Sequence, residues 1–566
     1  MDGGLFPIKR IVGDEVRVEA DLFADGHEPV NGLLLYRYGG DAGKGVWKEV
    51  PLQPLENDRW AAAFRVEKEG FYSYTLQGWV GDNRQNSTFY QTPFQQNDNE
   101  LLVRVDREKA RFSAWYEIFP RSCSPEPGKH GTFKELESWL PYIAGMGFDV
   151  LYLPPIHPVA VTQRKGKNNA LEAASGDPGS PWGIGGKAGG HKAVHPELGT
   201  LEDFRRLIAR AKELGLETAL DIALQCSPDH PYVKQHPAWF KRRPDGSIQC
   251  AENPPKKYED IYPLDFESKE WKSLWEEMLS IFLFWAQQGV RIFRVDNPHT
   301  KPFDFWEWLI GQVQRKHPDA LFLAEAFTRP KLMARLAKLG FSQSYTYFTW
   351  RNNRWELAEY FTELTQSPVK EFFRPSVWTN TPDILSGPLR DGPPAAFRMR
   401  YLLAATLSAS YGIYGPSFEL MENRPRDNES EEYLDSEKYE LKRWDIRRPD
   451  SLKELITRVN RIRRDHPAFQ RNEGLQFHGA DNEQLLCYSK TGLDGAQPVF
   501  VVVNLDPRNK QGGKVELPIE RFGLQAGGSF TVEDLLGGKS YSWNGARNFV
   551  ELDPARAAGH IFRVRP

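Results

Sequence analysis

Apolar and polar positions change rhythm twice along the chain. Up to about residue 105 they alternate with period two, as in Val16-Arg17-Val18-Glu19-Ala20-Asp21-Leu22 and in parts of Phe71-Tyr72-Ser73-Tyr74-Thr75-Leu76. Asp25-Gly26, Gly39-Gly40-Asp41 and Gly81-Asp82-Asn83 interrupt the alternation at short intervals. Alternation punctuated by such turns predicts a small β-sandwich. It carries no constellation of catalytic type, so packing is its expected role ahead of subunit or glycan contact.

From Phe112 the rhythm becomes strand, helix, strand. Phe112 to Pro120 and Phe148 to Pro154 are apolar runs, with helical spacing from Phe133 to Met146 between them. The helical Leu201 to Leu214 leads into the strand Leu216 to Asp221. The runs Val290 to Asp296 and Leu321 to Phe327 flank an amphipathic Phe303 to His317. Ser344 to Trp350, Pro375 to Asp383 and Leu407 to Tyr414 supply a sixth, seventh and eighth strand. This pace predicts a parallel (β/α)8 TIM barrel. Asn423 to Asp450 is charged and reads as a surface excursion, and Leu452 to Arg464 as a helix. From about Gln476 strands return, as in Leu485 to Ser489, Val499 to Asn504 and Phe549 to Leu552, which predicts a C-terminal β-sandwich. The chain is therefore read as α/β in three parts. These are a sandwich over 1–108, a barrel over 109–470 with inserts at 155–197 and 222–268, and a sandwich over 471–566.

The candidate chemistry sits where barrel strands stop. Val290 to Val295 is broken only by Arg291 and Arg294, and ends at Asp296. Arg294 lies two residues before Asp296, so both side chains point to one side of the strand, and the arginine can orient the acid. Alone, that pair reads first as a structural Arg–Asp pair at a strand end. The next strand ends in Glu325, one helix later. Neighbouring barrel strands that end in acids place both at one face. Two carboxylates about 5 Å apart suit a retaining glycosyl transfer, one as nucleophile and one as acid/base. Asp383, just beyond the seventh strand, is a third acid, and Asp221 ends the third strand.

Two loops add cations. The Gly-rich stretch Pro155 to Pro196 contains Arg164-Lys165-Gly166-Lys167-Asn168-Asn169, which is a solvated turn or an anion site at the barrel mouth. It lacks P-loop spacing. Asn253-Pro254-Pro255-Lys256-Lys257-Tyr258 reads first as an exposed charged turn, although its prolines would suit a fixed anion clamp.

Composition narrows the partners. A net charge of −3 gives no field for nucleic acid or an anionic membrane. Seventeen Trp in 566 residues lean mildly towards carbohydrate, since indole faces stack on sugar rings. Cys123, Cys226, Cys250 and Cys487 are too scattered for a metal site or a disulfide framework. The N-terminus lacks a signal peptide pattern and no run approaches membrane-spanning length, so a cytoplasmic enzyme is expected.

The acid-ended strands resemble the four characteristic regions of the α-amylase superfamily, glycoside hydrolase family 13. Arg294-Val295-Asp296 is similar to the second, Ala324-Glu325-Ala326 to the third, Asn380-Thr381-Pro382-Asp383 to the fourth, and Asp221 with its successors to the first. Thr381-Pro382 stands where amylases usually carry His, and Gln225-Cys226 where they carry Asn-His. Both departures speak against a plain amylase and against its usual calcium site. Those substitutions and longer stretches resemble the GlgE-type maltosyltransferases, closely over residues 110–470. Among the stretches are Leu153 to Pro158, Gln225 to Pro231, Ala251 to Tyr258 and Val295 to Pro302.

The resemblance implies transfer of maltosyl units from α-maltose 1-phosphate to the non-reducing end of α-1,4-glucan, with release of phosphate. It implies Asp296 as nucleophile, Glu325 as acid/base, and Asp383 as the residue that favours the distorted, oxocarbenium-like ring. Arg294 would orient Asp296. Asn253, Lys256 and Tyr258 would hold the phosphate with Asn297 nearby, and Lys165 and Gln225 would contact the sugar, as would Asp221. Neither cofactor nor metal is expected. Family members commonly dimerise through a helical insertion before the barrel, which is missing between Leu101-Leu102-Val103 and Arg111, so monomer and homodimer both stay open. The competing readings are an α-1,4-glucan hydrolase or disproportionating transglycosylase that uses no phosphate donor, and a non-catalytic glycan binder.

Overall fold

The structure, a computed structural model, describes residues 1–39, 45–81, 100–253 and 256–565, without the side chains of Asn253, Lys256 and Asp494. The expected turns Gly39-Gly40-Asp41 and Gly81-Asp82-Asn83 lie largely outside these residues.

The N-terminal alternation folds as two sheets. One runs in the order Ile8–Ile11, Leu101–Asp106, Gly70–Val80, Val30–Tyr38, Lys48–Pro51, and the other Glu15–Asp21, Arg59–Arg65, Gln53–Pro54. Every second residue of Glu15–Asp21 as far as Val18 turns inward, so Val16 and Val18 meet Leu34, Phe64 and Val103 in one core. The sandwich sits against the N-terminal ends of the barrel strands. Arg104 donates to Pro318 O (2.9 Å), Arg107 to Asp319 O (2.7 Å) and Lys9 to Phe341 O, each just ahead of a strand.

Eight parallel strands make the barrel. They are β1 (Ser113–Glu117), β2 (Val150–Leu153), β3 (Glu217–Ile222), β4 (Ile292–Asp296), β5 (Leu321–Glu325), β6 (Gln343–Ser344), β7 (Ser376–Trp378) and β8 (Ser410–Tyr414). Each pairs with the next, β8 pairs with β1, and a parallel bridge between Ser344 and Pro375 closes the ring. Trp115, Tyr152, Tyr345 and Trp378 fill the interior, as a packed barrel requires. Gly412 makes room for them, since a Cβ there would stand 2.6 Å from the Trp378 ring.

Three sequence expectations need correction. The sixth strand ends at Ser344, and Tyr347–Trp350 is a 3-10 turn. The Thr346 hydroxyl accepts from Phe348 N (3.4 Å) and the Tyr360 hydroxyl from Tyr347 N (3.0 Å), diverting the backbone from the sheet. The helix expected from Phe133 to Met146 is two short ones, Phe133–Glu137 and Leu140–Gly145. Pro141 has no N–H to bond the Glu137 carbonyl, so the helical ladder breaks there. The stretch Asn423 to Asp450 is a surface excursion only at its two ends. It buries Glu432, Tyr433, Ser436, Glu437 and Tyr439 over the C-terminal mouth of the barrel.

The last domain has a six-stranded sheet ordered Gln476–His478, Leu485–Lys490, Val499–Asn504, Gly559–Arg565, Ser529–Asp534, Ser540–Asn544. A pair, Gln511–Glu516 with Arg547–Leu552, faces it. Thr406 and Tyr488 share a hydroxyl bond (2.5 Å), and Arg354 donates to Ala480 O (3.0 Å), joining this domain to barrel helices. Among the described residues, no helix is long and apolar enough to cross a membrane.

Candidate active site

Strand register places the acids. Asp296 and Glu325 are direct partners at the ends of β4 and β5, and Asp221 of β3 lies opposite Arg294. Arg294 is the hub. One of its nitrogens bonds both Asp221 Oδ2 and Asp296 Oδ1 at 2.8 Å, and the other lies 3.5 Å from Glu325 Oε2. Tyr152 and Tyr345 flank the guanidinium, with ring centres 5.9 and 5.8 Å away. Burial alone would weaken its hold on the proton, but Asp221, Tyr152 and Glu325 reverse this, so its affinity rises well above the ordinary value.

The neighbouring acids do not share one environment. Burial pushes Glu325 up to about 8, against Arg294 and with help from Asp296. Glu325 is therefore an acid at neutral pH. Asp296 has both oxygens engaged, by Arg294 and by Asn297 Nδ2 (3.3 Å). Asn297 reaches it from a left-handed backbone (φ 43°), which asparagine tolerates better than most residues, and its N–H donates to Glu325 Oε2 (3.3 Å). Asp221 is wholly buried. Burial raises it to about 7, and the Tyr152 hydroxyl donates to it at 2.6 Å.

A cavity of about 640 Å³ opens over these strand ends, a size that suits a small ligand. Asp296, Glu325, Asp383, Asn297, Lys165, Gln225 and Tyr258 all line it. Arg294 and Asp221 lie beneath its floor and reach it through their partners. Lys165 is 3% exposed and bonds Glu259 Oε2 at 2.6 Å. Gln225 donates to Trp182 O (3.1 Å). Tyr258 belongs to a hairpin in which Ala251–Asn253 pairs with Lys256–Tyr258, and the side chains of Asn253 and Lys256 lie outside the described residues.

Sequence reasoning missed several lining residues. Lys438 bonds Asp383 Oδ1 at 2.6 Å, and with Tyr439 it comes from the stretch read as surface. Burial works against its charge, but Asp383 more than compensates and holds the lysine protonated. Lys301 donates to Asn297 O (3.3 Å), and burial lowers it to about 8 against the pull of Asp296 and Glu325. Asp260 is buried beside Lys165, and burial raises it. Glu117 lies just below at the end of β1, with Oε2 buried and no hydrogen-bond partner; burial raises it far above a normal glutamate. A strand ending in an acid was the available signal for Glu117. The signal for Lys438 was an excursion leaving the C-terminal face of a barrel with Tyr433, Tyr439 and Trp444 among its charges.

Comparison with known proteins gives the family of the chain. Residues 1–86 match the family described as α-1,4-glucan:maltose-1-phosphate maltosyltransferase, domain N/S; residues 477–564 match GLGE, C-terminal; residues 90–277 match the α-amylase catalytic domain. The α-1,4-glucan:maltose-1-phosphate maltosyltransferase of Chlorobaculum tepidum is 48% identical over 639 aligned residues, covering 100% of this chain and 95% of its own. The chain belongs to this maltosyltransferase family. The enzyme of the same description from Methylacidiphilum infernorum is 49% identical, over 99% of this chain and 93% of its own. The 639 aligned positions exceed the 566 residues here, so the Chlorobaculum relative carries residues that this maltosyltransferase-family chain lacks. Among solved structures, an α-amylase from Lactobacillus plantarum superposes with a TM-score of 0.60 at 21% identity, over 79% of this chain and all of its own. That likeness concerns the fold.

Proposed function

We propose that this chain moves maltosyl units from α-maltose 1-phosphate to the non-reducing end of α-1,4-glucans, releasing phosphate with retention of configuration. The observation that carries the reading is the paired acids on β4 and β5. Asp296 is held by a guanidinium and an amide, and burial raises Glu325 to about 8, so Glu325 carries a proton to give at neutral pH.

Asp296 attacks the anomeric carbon while the bond to phosphate breaks, giving a β-maltosyl ester on Asp296. Glu325 gives its proton to the departing phosphate oxygen. It then takes a proton from the acceptor 4-hydroxyl, which displaces Asp296 and restores the α configuration. Asp383, held by Lys438, bonds the sugar hydroxyls and favours the flattened ring. Arg294 orients Asp296 and, with Asp221 beneath, fixes the floor. Tyr258 and Asn297 approach the phosphate, together with Asn253 and Lys256 of the same hairpin. Lys165 and Gln225 meet the maltosyl unit. We place the reaction in the cytoplasm, because the donor is a sugar phosphate and four cysteines remain free.

The test is phosphate release from α-maltose 1-phosphate with and without maltooligosaccharide. Acceptor-dependent release, with products growing by two glucose units, is the expected result. Hydrolysis or reshuffling of maltooligosaccharides with no use of the phosphate donor would overturn the proposal.

A further inference from the structure

We propose that His130, His195 and Glu197 form a zinc-type metal site in a second cavity, separate from the one over the acids. One ligand atom from each residue lies within 4.8 Å of the other two. A tetrahedral zinc shell spaces its ligands by about 3.3 Å, so side-chain rotation closes the set. The imidazoles are stacked with centres 5.3 Å apart, near the roughly 5 Å of two rings on one tetrahedral zinc, and rotation of one ring would bring both planes onto a shared ion.

The surroundings prepare the ligands. His130 Nδ1 is engaged by the Gly131 carbonyl at 2.7 Å, which puts the proton on Nδ1 and leaves Nε2 as the lone pair. A backbone carbonyl behind a ligating histidine is the usual support for such a ring. On His195 the Glu197 N–H makes only a long bond to Nδ1 (3.3 Å), which a coordinate bond outweighs. Two imidazoles and a carboxylate, with the fourth position left to water, are a set that zinc accepts.

All three residues line a cavity of about 220 Å³ with His157, Arg121 and Asp177. His157 Nε2 is buried there without a hydrogen-bond partner, and a metal-bound water would satisfy it. Arg121 and Arg164 on the same wall oppose a cation, and the carboxylates of Glu197 and Asp177 offset them. The site would tie the loop after β1 to the loop after β2. Arg121 also donates to the Glu437 and Lys438 carbonyls, so the tie would extend to the segment that holds Asp383. No local pattern announces the cluster, because 64 residues of loop, helix and strand lie between His130 and His195.

The experiment titrates the chelator-treated full chain with Zn²⁺ and with Co²⁺. One equivalent should bind, Co²⁺ should give the intense visible absorption of a tetrahedral site, and Zn²⁺ should raise the thermal midpoint. Glu197→Gln, on an exposed side chain, should weaken binding at least about tenfold while leaving the metal-free thermal midpoint unchanged. The double variant His130→Gln, His195→Gln should abolish the absorption and the thermal shift. Failure of the wild type to take up stoichiometric zinc, or uptake unchanged in both variants, would overturn the site.

Discussion

Arg294→Lys is the substitution that bears hardest on the proposed mechanism. The guanidinium spans three acids, with short bonds to Asp221 and Asp296 and a longer contact to Glu325. An ammonium keeps the charge but can hold only one of these acids at full strength. Each charge-assisted bond is worth about 1.5–3 kcal/mol. Loss of one short bond and of the Glu325 contact puts about 2–4 kcal/mol at stake, or about 30- to 1,000-fold in kcat/KM. Because the charge remains, the thermal midpoint should fall little. Arg294→Met removes the charge and leaves three acids beneath the cavity uncompensated, which costs about 3–5 kcal/mol of stability. It also has a sign that can be read. Arg294 opposes the upward shift of Glu325, so without it the alkaline limb of activity should move above pH 8. The assay is initial phosphate release from α-maltose 1-phosphate across pH, beside a thermal melt of each variant. If Arg294→Lys keeps activity within about threefold, Arg294 is not the group that organises the acids.

Glu325→Gln removes the acid and the base but not the nucleophile. Phosphate leaves with less help than an alkoxide, so the first displacement should outlast the second, and mass spectrometry should find one maltosyl unit on Asp296; an unmodified peptide after donor treatment would contradict this. Lys438→Met should raise KM for the donor about 10- to 100-fold, more than it lowers kcat, because it removes the cation bonded to Asp383 without touching the acids on β4 and β5; an unchanged KM would return the stretch to a structural role. His157, His191 and His230 are held neutral by burial, at about 3, 4 and 2. Below about pH 6.5 the unfolded chain binds protons that the folded chain refuses, so their stabilisation, full above that pH, is lost as pH falls, by up to about 2 kcal/mol each at pH 5. A thermal midpoint constant from pH 7 to 5 would refute it.

How far the sequence reaches depends on whether a feature is local. Asp296, Glu325 and Arg294 were legible because period, strand end and register are short-range properties: a residue two places before a strand-terminal acid must share its side. Pro141 carried its information too, since a missing N–H breaks a ladder wherever it falls, but helical spacing on both sides masked it. The sixth strand failed for a different reason. Tyr345 to Trp350 has strand composition, yet Tyr345 is drawn into the barrel interior while the Thr346 and Tyr360 hydroxyls bend the next residues away. Those partners are tertiary and leave no period.

The stretch from Asn423 to Asp450 shows the deeper limit. Its charges were read as solvated because charged residues usually are, and that rule fails where the partners are themselves charged or polar and lie elsewhere in the chain. Lys438 finds Asp383, Glu431 accepts from Trp350 (2.8 Å), and the Glu437 carboxylate accepts from Tyr414. Each pairing joins residues at least 23 positions apart. What composition could not give, topology could have. A segment leaving the C-terminal end of a barrel strand must cross the catalytic face before the next helix, so its charges are there to meet a ligand or the acids beneath it.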